Sequence, residues 1–216
     1  MSAQTIGVVG LGYVGLPLAV AVAEAGDSVV ALDTVRKIAA IHRGDSYIED
    51  ISSERLLAAR IDATTRYAKL AKADAVIICV PTPLTRNREP DLGPLLSAAR
   101  GMRDVLQAGQ LVVLESPTFP GTTRDHLVPI LEESGLKVGL DFNAAFSPER
   151  VDPGRTDHTL RSTPPNASRS SFPGACRSDR PHGRPLLALG IIVLYVIGLT
   201  MPGARSPEVG EVRRRL

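Results

Sequence analysis

Gly10-Leu-Gly12-Tyr-Val-Gly15 places three glycines at the spacing GxGxxG, directly after the apolar run Ile6-Gly-Val-Val. In this spacing the first glycine takes a tight turn and the second lets the backbone come close to a pyrophosphate. The third lets a helix pack closely on a strand. A helix that starts here offers free N–H groups to phosphate oxygens, with Tyr13 and Val14 in its opening turn. Asp33 lies 18 residues past Gly15, near the spacing of about 20 at which such motifs present an acid to ribose hydroxyls. A carboxylate there repels a 2′-phosphate, which favours NAD over NADP. Arg36 and Lys37 nearby argue in the opposite direction. The candidate cofactor residues in this region are therefore Gly10, Gly12, Tyr13, Val14, Gly15, Asp33 and Lys37. The plainer reading is a glycine-rich turn that holds no ligand, and the strand before it and helix after it count against that.

Two further segments end strand-like runs with hydroxyl groups. Cys79-Val-Pro-Thr-Pro83 puts Thr82 where it could donate to a cofactor, because ligands of open α/β sheets lie outside the carboxyl ends of the strands. A strand stopped by two prolines is the alternative. Glu115-Ser-Pro-Thr-Phe-Pro-Gly-Thr-Thr123 offers Ser116 and Thr118 in the same way, or else a polar loop that caps the following helix. Cys79 reads as a buried small hydrophobe rather than a nucleophile. The four histidines, at 42, 126, 158 and 182, are scattered and join no cysteine cluster, so no metal site is expected.

The elements that must position these residues follow from apolar runs and their stops. Strands are expected at Ile6 to Gly10, Ser28 to Asp33, Ala75 to Val80, Leu111 to Glu115 and Asp141 to Phe146. Helices are expected over Tyr13 to Ala25 and over Val35 to Arg43, closed by Gly26 and Gly44. Two more are expected, from Asp91 as N-cap to Leu106 and from Thr122 to Ser134. Short continuous apolar strands alternating with helices imply a parallel sheet covered on both faces. The fold class is α/β, a doubly wound Rossmann-like parallel sheet.

The 216 residues are 44% apolar and 22% charged, which excludes collagen, coiled coil and a wholly disordered chain. Two cysteines exclude a disulfide framework and a cysteine-rich zinc site. No basic segment precedes the first strand, so no signal peptide is expected and the reducing cytoplasm is. Residues 1–162 carry 17 Lys+Arg against 20 Asp+Glu, whereas residues 163–216 carry 8 against 3 and contain no lysine. This break puts a boundary near Ser162, between an ordered domain and a tail rich in Arg, Pro and Ser that is expected to be disordered or poorly structured. Leu186 to Ala204 is an uncharged stretch of 19 residues, close to the roughly 20 of a membrane span. Its glycines and proline disfavour that use, and a membrane partner is not expected. The ordered part is net negative and poor in aromatics, so neither is nucleic acid.

Four segments together resemble a family. GLGYVGLPL (Gly10 to Leu18), VPTPL (Val80 to Leu84), Glu115 to Thr123 and AFSPERVDPG (Ala145 to Gly154) are similar to the nucleotide-sugar 6-dehydrogenases. The closest branch is that of the UDP-N-acetylglucosamine and UDP-N-acetylmannosamine enzymes, and the resemblance covers about residues 5–163. It implies an NAD-dependent, two-step oxidation of a UDP-sugar C6 alcohol to a uronic acid. It also implies a cysteine that carries the substrate covalently, a catalytic lysine and an acid/base glutamate. Only that glutamate maps onto this chain, as Glu149.

The chain departs from the family pattern in two places. Pro117 stands where the family has a threonine. After Thr163-Pro164 the resemblance stops: the GGxCxP motif, the catalytic lysine and the long central helix have no counterpart, and Cys176 lies in an unrelated context. The tail reads as an out-of-frame extension of a truncated gene, with a membrane-anchored variant as the alternative. A mechanism that needs a covalent sulfur intermediate does not run without the sulfur. The chain is thus expected to be a dehydrogenase NAD domain that is inactive alone, in competition with a non-catalytic NAD-binding module.

Overall fold

The computed structural model describes residues 3–147. Glu149, Cys176, the boundary near Ser162, the tail from 163 and the apolar stretch 186–204 lie outside the described residues.

Six strands, β1 (Thr5–Val9), β2 (Ser28–Leu32), β3 (Asp62–Thr64), β4 (Ala75–Ile78), β5 (Leu111–Leu114) and β6 (Asn143–Phe146), form one sheet. Their order is β3-β2-β1-β4-β5-β6 and every pairing is parallel. Chain direction across the sheet therefore reverses between β1 and β4, the point where an open α/β sheet leaves a crevice at its carboxyl edge.

Alternate strand residues feed two cores, one on each face, as a doubly covered sheet requires. Ile6, Val8, Val29, Ala31, Ile77 and Val113 pack on one face against α1 (Gly15–Glu24), α2 (Val35–Arg43) and α3 (Ser53–Ala58). Val9, Val30, Val76, Ile78, Val112 and Leu114 pack on the other. That face is covered by α4 (Gly93–Arg103) and by α5 (Val128–Glu132), which continues from a π-helical turn over Thr123–Leu127. Helix α1 is buried from Gly15 to Val22, so its sequence is apolar all round rather than striped.

The expected order of strands and helices is present, with edges shifted by up to three residues: β1 starts one residue early at Thr5, and α4 ends at Arg103 rather than Leu106. Helix α2 ends where Gly44 adopts φ 75° and closes it. Asp91 lies one residue before the N-cap position of α4 and accepts the Gly93 N–H at 2.8 Å, so it caps as a turn. The structure also contains β3, α3 and a 3-10 helix at Tyr67–Lys72, none of which the apolar pattern predicts. β3 is three residues long with an exposed Asp62, and it takes strand form only because β2 offers an edge to pair with.

Candidate functional site

The loops after β1, β4 and β5 meet at the carboxyl edge around the point of strand reversal. Gly10 leaves β1 at φ 94°, and its N–H donates to Leu32 O at 2.8 Å. A Cβ on Gly10 would stand 2.7 Å from Cys79 O. One on Gly15 would overlap the Gly10 carbonyl oxygen, whereas one on Gly12 would meet nothing within 4 Å. The three glycines thus divide the work: Gly10 turns, Gly15 packs, and Gly12 faces open space.

The start of α1 is uncapped. Val14 stands at the N-cap and there is no acid in the first turn; α2, α4 and α5 likewise lack a side-chain cap, and only α3 among the described helices has one, Ser52 accepting the Arg55 N–H at 3.2 Å. No described residue accepts from the N–H of Gly12, Tyr13 or Val14. At the start of α1 these donors coincide with the open space at Gly12, and with the helix dipole they can receive an anion. Tyr13 is exposed beside them, and Val14 packs against the core.

Asp33 sits just past β2 with its side chain 8% exposed. Its Oδ2 accepts the Leu11 N–H at 2.5 Å and the Lys37 Nζ at 2.9 Å, and its Oδ1 accepts the Thr34 N–H at 2.6 Å. Burial pushes its pKa up; Lys37, then the Leu11 and Thr34 N–H groups, more than reverse this and hold it below the usual value. A carboxylate has about four acceptor positions, and three donors already occupy Asp33. One position is left for a ribose hydroxyl. Lys37, whose charge could serve a 2′-phosphate, is ion-paired with Asp33 instead.

Tyr47, in the loop after α2, completes this corner. Its hydroxyl donates to Leu11 O at 2.9 Å, and Lys37 Nζ lies 5.9 Å from its ring centroid, within cation–π range. Burial, with the nearby Asp33 charge, raises its pKa, so the hydroxyl stays a donor. Sequence reading misses Tyr47, because a lone tyrosine in an irregular loop belongs to no spacing pattern.

Of the three candidate hydroxyls, two already donate within the chain. Thr82 Oγ1 donates to Pro117 O at 2.5 Å, joining the loops after β4 and β5. Ser116 Oγ donates to Val80 O at 2.8 Å. Thr118 Oγ1 is buried with no partner among the described residues. Pro117, the departure from the family pattern, contributes its carbonyl to the Thr82 bridge. Glu115 is a buried carboxylate at the end of β5, approached by Ser147 Oγ at 3.4 Å. The sequence reading gave it no separate role.

Residues 4–164 match the UDP-glucose/GDP-mannose dehydrogenase family, NAD binding domain. The chain belongs to this family. Its fold and its GxGxxG turn are those of the family's NAD-binding domain. UDP-N-acetyl-D-glucosamine 6-dehydrogenase of Pseudomonas aeruginosa is 41% identical over 160 residues, 73% of this chain and 38% of that protein. Among solved structures, UDP-D-ManNAc dehydrogenase from Pyrococcus horikoshii superposes with a TM-score of 0.68 at 38% identity. That match covers 74% of this chain and 39% of the other. The ternary complex of GDP-mannose dehydrogenase from Pseudomonas aeruginosa gives a TM-score of 0.65 at 32% identity, over 68% of this chain and 36% of that one. The chain thus spans about two fifths of the length of the relatives it matches. Among the described residues no helix is long and apolar enough to cross a membrane, and no three His, Cys, Asp or Glu side chains gather as metal ligands.

Proposed function

We propose that this chain is the NAD-binding part of a UDP-sugar 6-dehydrogenase, of the branch acting on UDP-N-acetylhexosamines, working in the cytoplasm. The observation that carries the reading is the uncapped start of α1 beneath the open space at Gly12, at the β1/β4 reversal of a family-matched sheet. The Gly12, Tyr13 and Val14 N–H groups take the pyrophosphate, and the remaining acceptor position of Asp33 takes a ribose hydroxyl. The carboxylate and its pairing with Lys37 select against a 2′-phosphate. Thr118 donates to the cofactor, while Thr82 and Ser116 hold the two loops that frame it. NAD, when bound, supplies the hydride acceptor for alcohol oxidation.

Glu149 is the acid/base group of this reading, and residues 1–162 are its working unit. The UDP-sugar partner enters only with sequence beyond this domain. The family's covalent route needs a nucleophilic thiol; Cys79 is buried beneath the glycine turn and Cys176 stands outside the family's cysteine motif, so on this reading the chain by itself binds NAD without turning over a sugar. Calorimetric titration of the 216-residue chain with NAD and NADP tests the reading, paired with an assay for NADH formation from UDP-N-acetylglucosamine. Saturable NAD binding, weaker NADP binding and no NADH are expected. Absence of NAD binding overturns the cofactor reading, and NADH formation overturns the inactivity of the isolated chain.

A further inference from the structure

Leu11 is held on both of its peptides by side chains distant in sequence. Asp33 Oδ2 accepts its N–H, which fixes the Gly10–Leu11 peptide. Tyr47 Oη donates to its carbonyl, which fixes the Leu11–Gly12 peptide. No peptide bond here is cis, so the carbonyl and N–H of the Leu11–Gly12 unit point in opposite directions. A hydroxyl that pins Leu11 O on one side therefore aims the Gly12 N–H to the other. That N–H has no acceptor among the described residues, and the space over Gly12 is open. The tyrosine ring is itself fixed, packed against the core and faced by Lys37.

We infer that Tyr47 is a positioning residue for the cofactor pyrophosphate, acting through the Leu11–Gly12 peptide without touching the cofactor. This deepens the NAD-binding reading and rests on it. Removing the hydroxyl frees a peptide rotation that pyrophosphate binding must then fix. Adenosine, which lacks the pyrophosphate and is read by Asp33, is insensitive to that rotation.

The test compares Tyr47→Phe with the unaltered 216-residue chain, titrating NAD by calorimetry and adenosine by ligand-observed NMR. Tyr47→Phe keeps the ring and its packing. Its Kd for NAD is expected to rise about three- to tenfold, the effect of one net hydrogen bond. Its Kd for adenosine is expected to change less than about twofold, because adenosine makes no use of the aimed Gly12 N–H. An unchanged NAD affinity overturns the inference, as does an equal loss for adenosine. Failure of Tyr47→Phe to fold also overturns it, by making Tyr47 a residue of stability alone. Absence of NAD binding by the unaltered chain strikes the proposed function first, and this inference with it. Equal binding by the two proteins strikes this inference only.

Discussion

The carboxylate of Asp33 accepts the backbone N–H of Leu11 at 2.5 Å, tying the end of β2 to the glycine turn after β1. One acid thus ties down the turn while keeping one acceptor position open. Replacing it separates those roles. Asp33→Asn keeps one acceptor oxygen but turns an amide donor toward Leu11, Thr34 or Lys37, and it frees the lysine charge. We expect NAD affinity to fall about tenfold or more, and the preference for NAD over NADP to shrink. Paired titrations with the two cofactors measure this, and an unchanged ratio contradicts it.

The same carboxylate makes stability depend on acid. Its folded pKa lies below its ordinary 3.8, so its contribution is complete above 3.8 and disappears as pH falls through the folded value. Urea unfolding of the unaltered chain and Asp33→Asn should differ by a constant amount from about pH 7 down to about pH 5. The gap should narrow below 3.8. A gap that instead closes on the alkaline side is incompatible with this assignment.

Gly12 and Gly15 respond oppositely to the same added methyl. Gly15→Ala collides with the Gly10 carbonyl and should cost at least about 2 kcal/mol of stability. Gly12→Ala meets nothing within 4 Å, and its stability should stay within about 0.5 kcal/mol of the original. Its NAD binding should nonetheless be lost, because the methyl fills the space for the pyrophosphate. Thermal unfolding with and without NAD separates the two variants.

Thr118 carries a buried hydroxyl without a partner among the described residues. Thr118→Val removes it with little change of shape, so stability should be equal or slightly greater. On the proposed donation of this hydroxyl to the cofactor, NAD affinity should fall by about tenfold. A stability loss would point to an internal partner instead.

Gln110 is a fold determinant on the opposite edge of the sheet. Its Nε2 donates to Leu70 O and Ala73 O at 2.9 and 2.7 Å, and its Oε1 accepts the Gln107 N–H at 2.9 Å. Gln110→Ala removes three hydrogen bonds and, because Leu70 O still accepts the Ala73 N–H, strips its donor mainly from Ala73 O; it should cost about 1 to 3 kcal/mol. NAD affinity of the folded fraction should be unchanged, because the residue lies at the amino edge. Denaturant midpoints and a titration check the two halves of this expectation.

The sequence alone determined the strand–helix alternation, because β1, β2, β4 and β5 are short apolar runs buried on both faces and stopped by Gly, Pro or Asp. It also made legible that Gly10 turns and Gly15 packs closely, since missing side chains are a local property readable from spacing. Tertiary structure decided what depends on partners far away in the chain. β3 exists because β2 has a free edge, and no apolar run announces it. Asp33, which sequence spacing alone marks as a ribose acceptor, is also the acceptor of the Leu11 N–H from the turn 22 residues earlier. Thr82, Ser116 and Thr118 look alike in sequence, yet only the packing of adjacent loops gives two of them internal acceptors and leaves the third without a partner among the described residues. Tyr47 reaches Leu11 across 36 residues. That contact is set by how the loop after α2 folds back over the sheet edge, which no local pattern of residue types encodes.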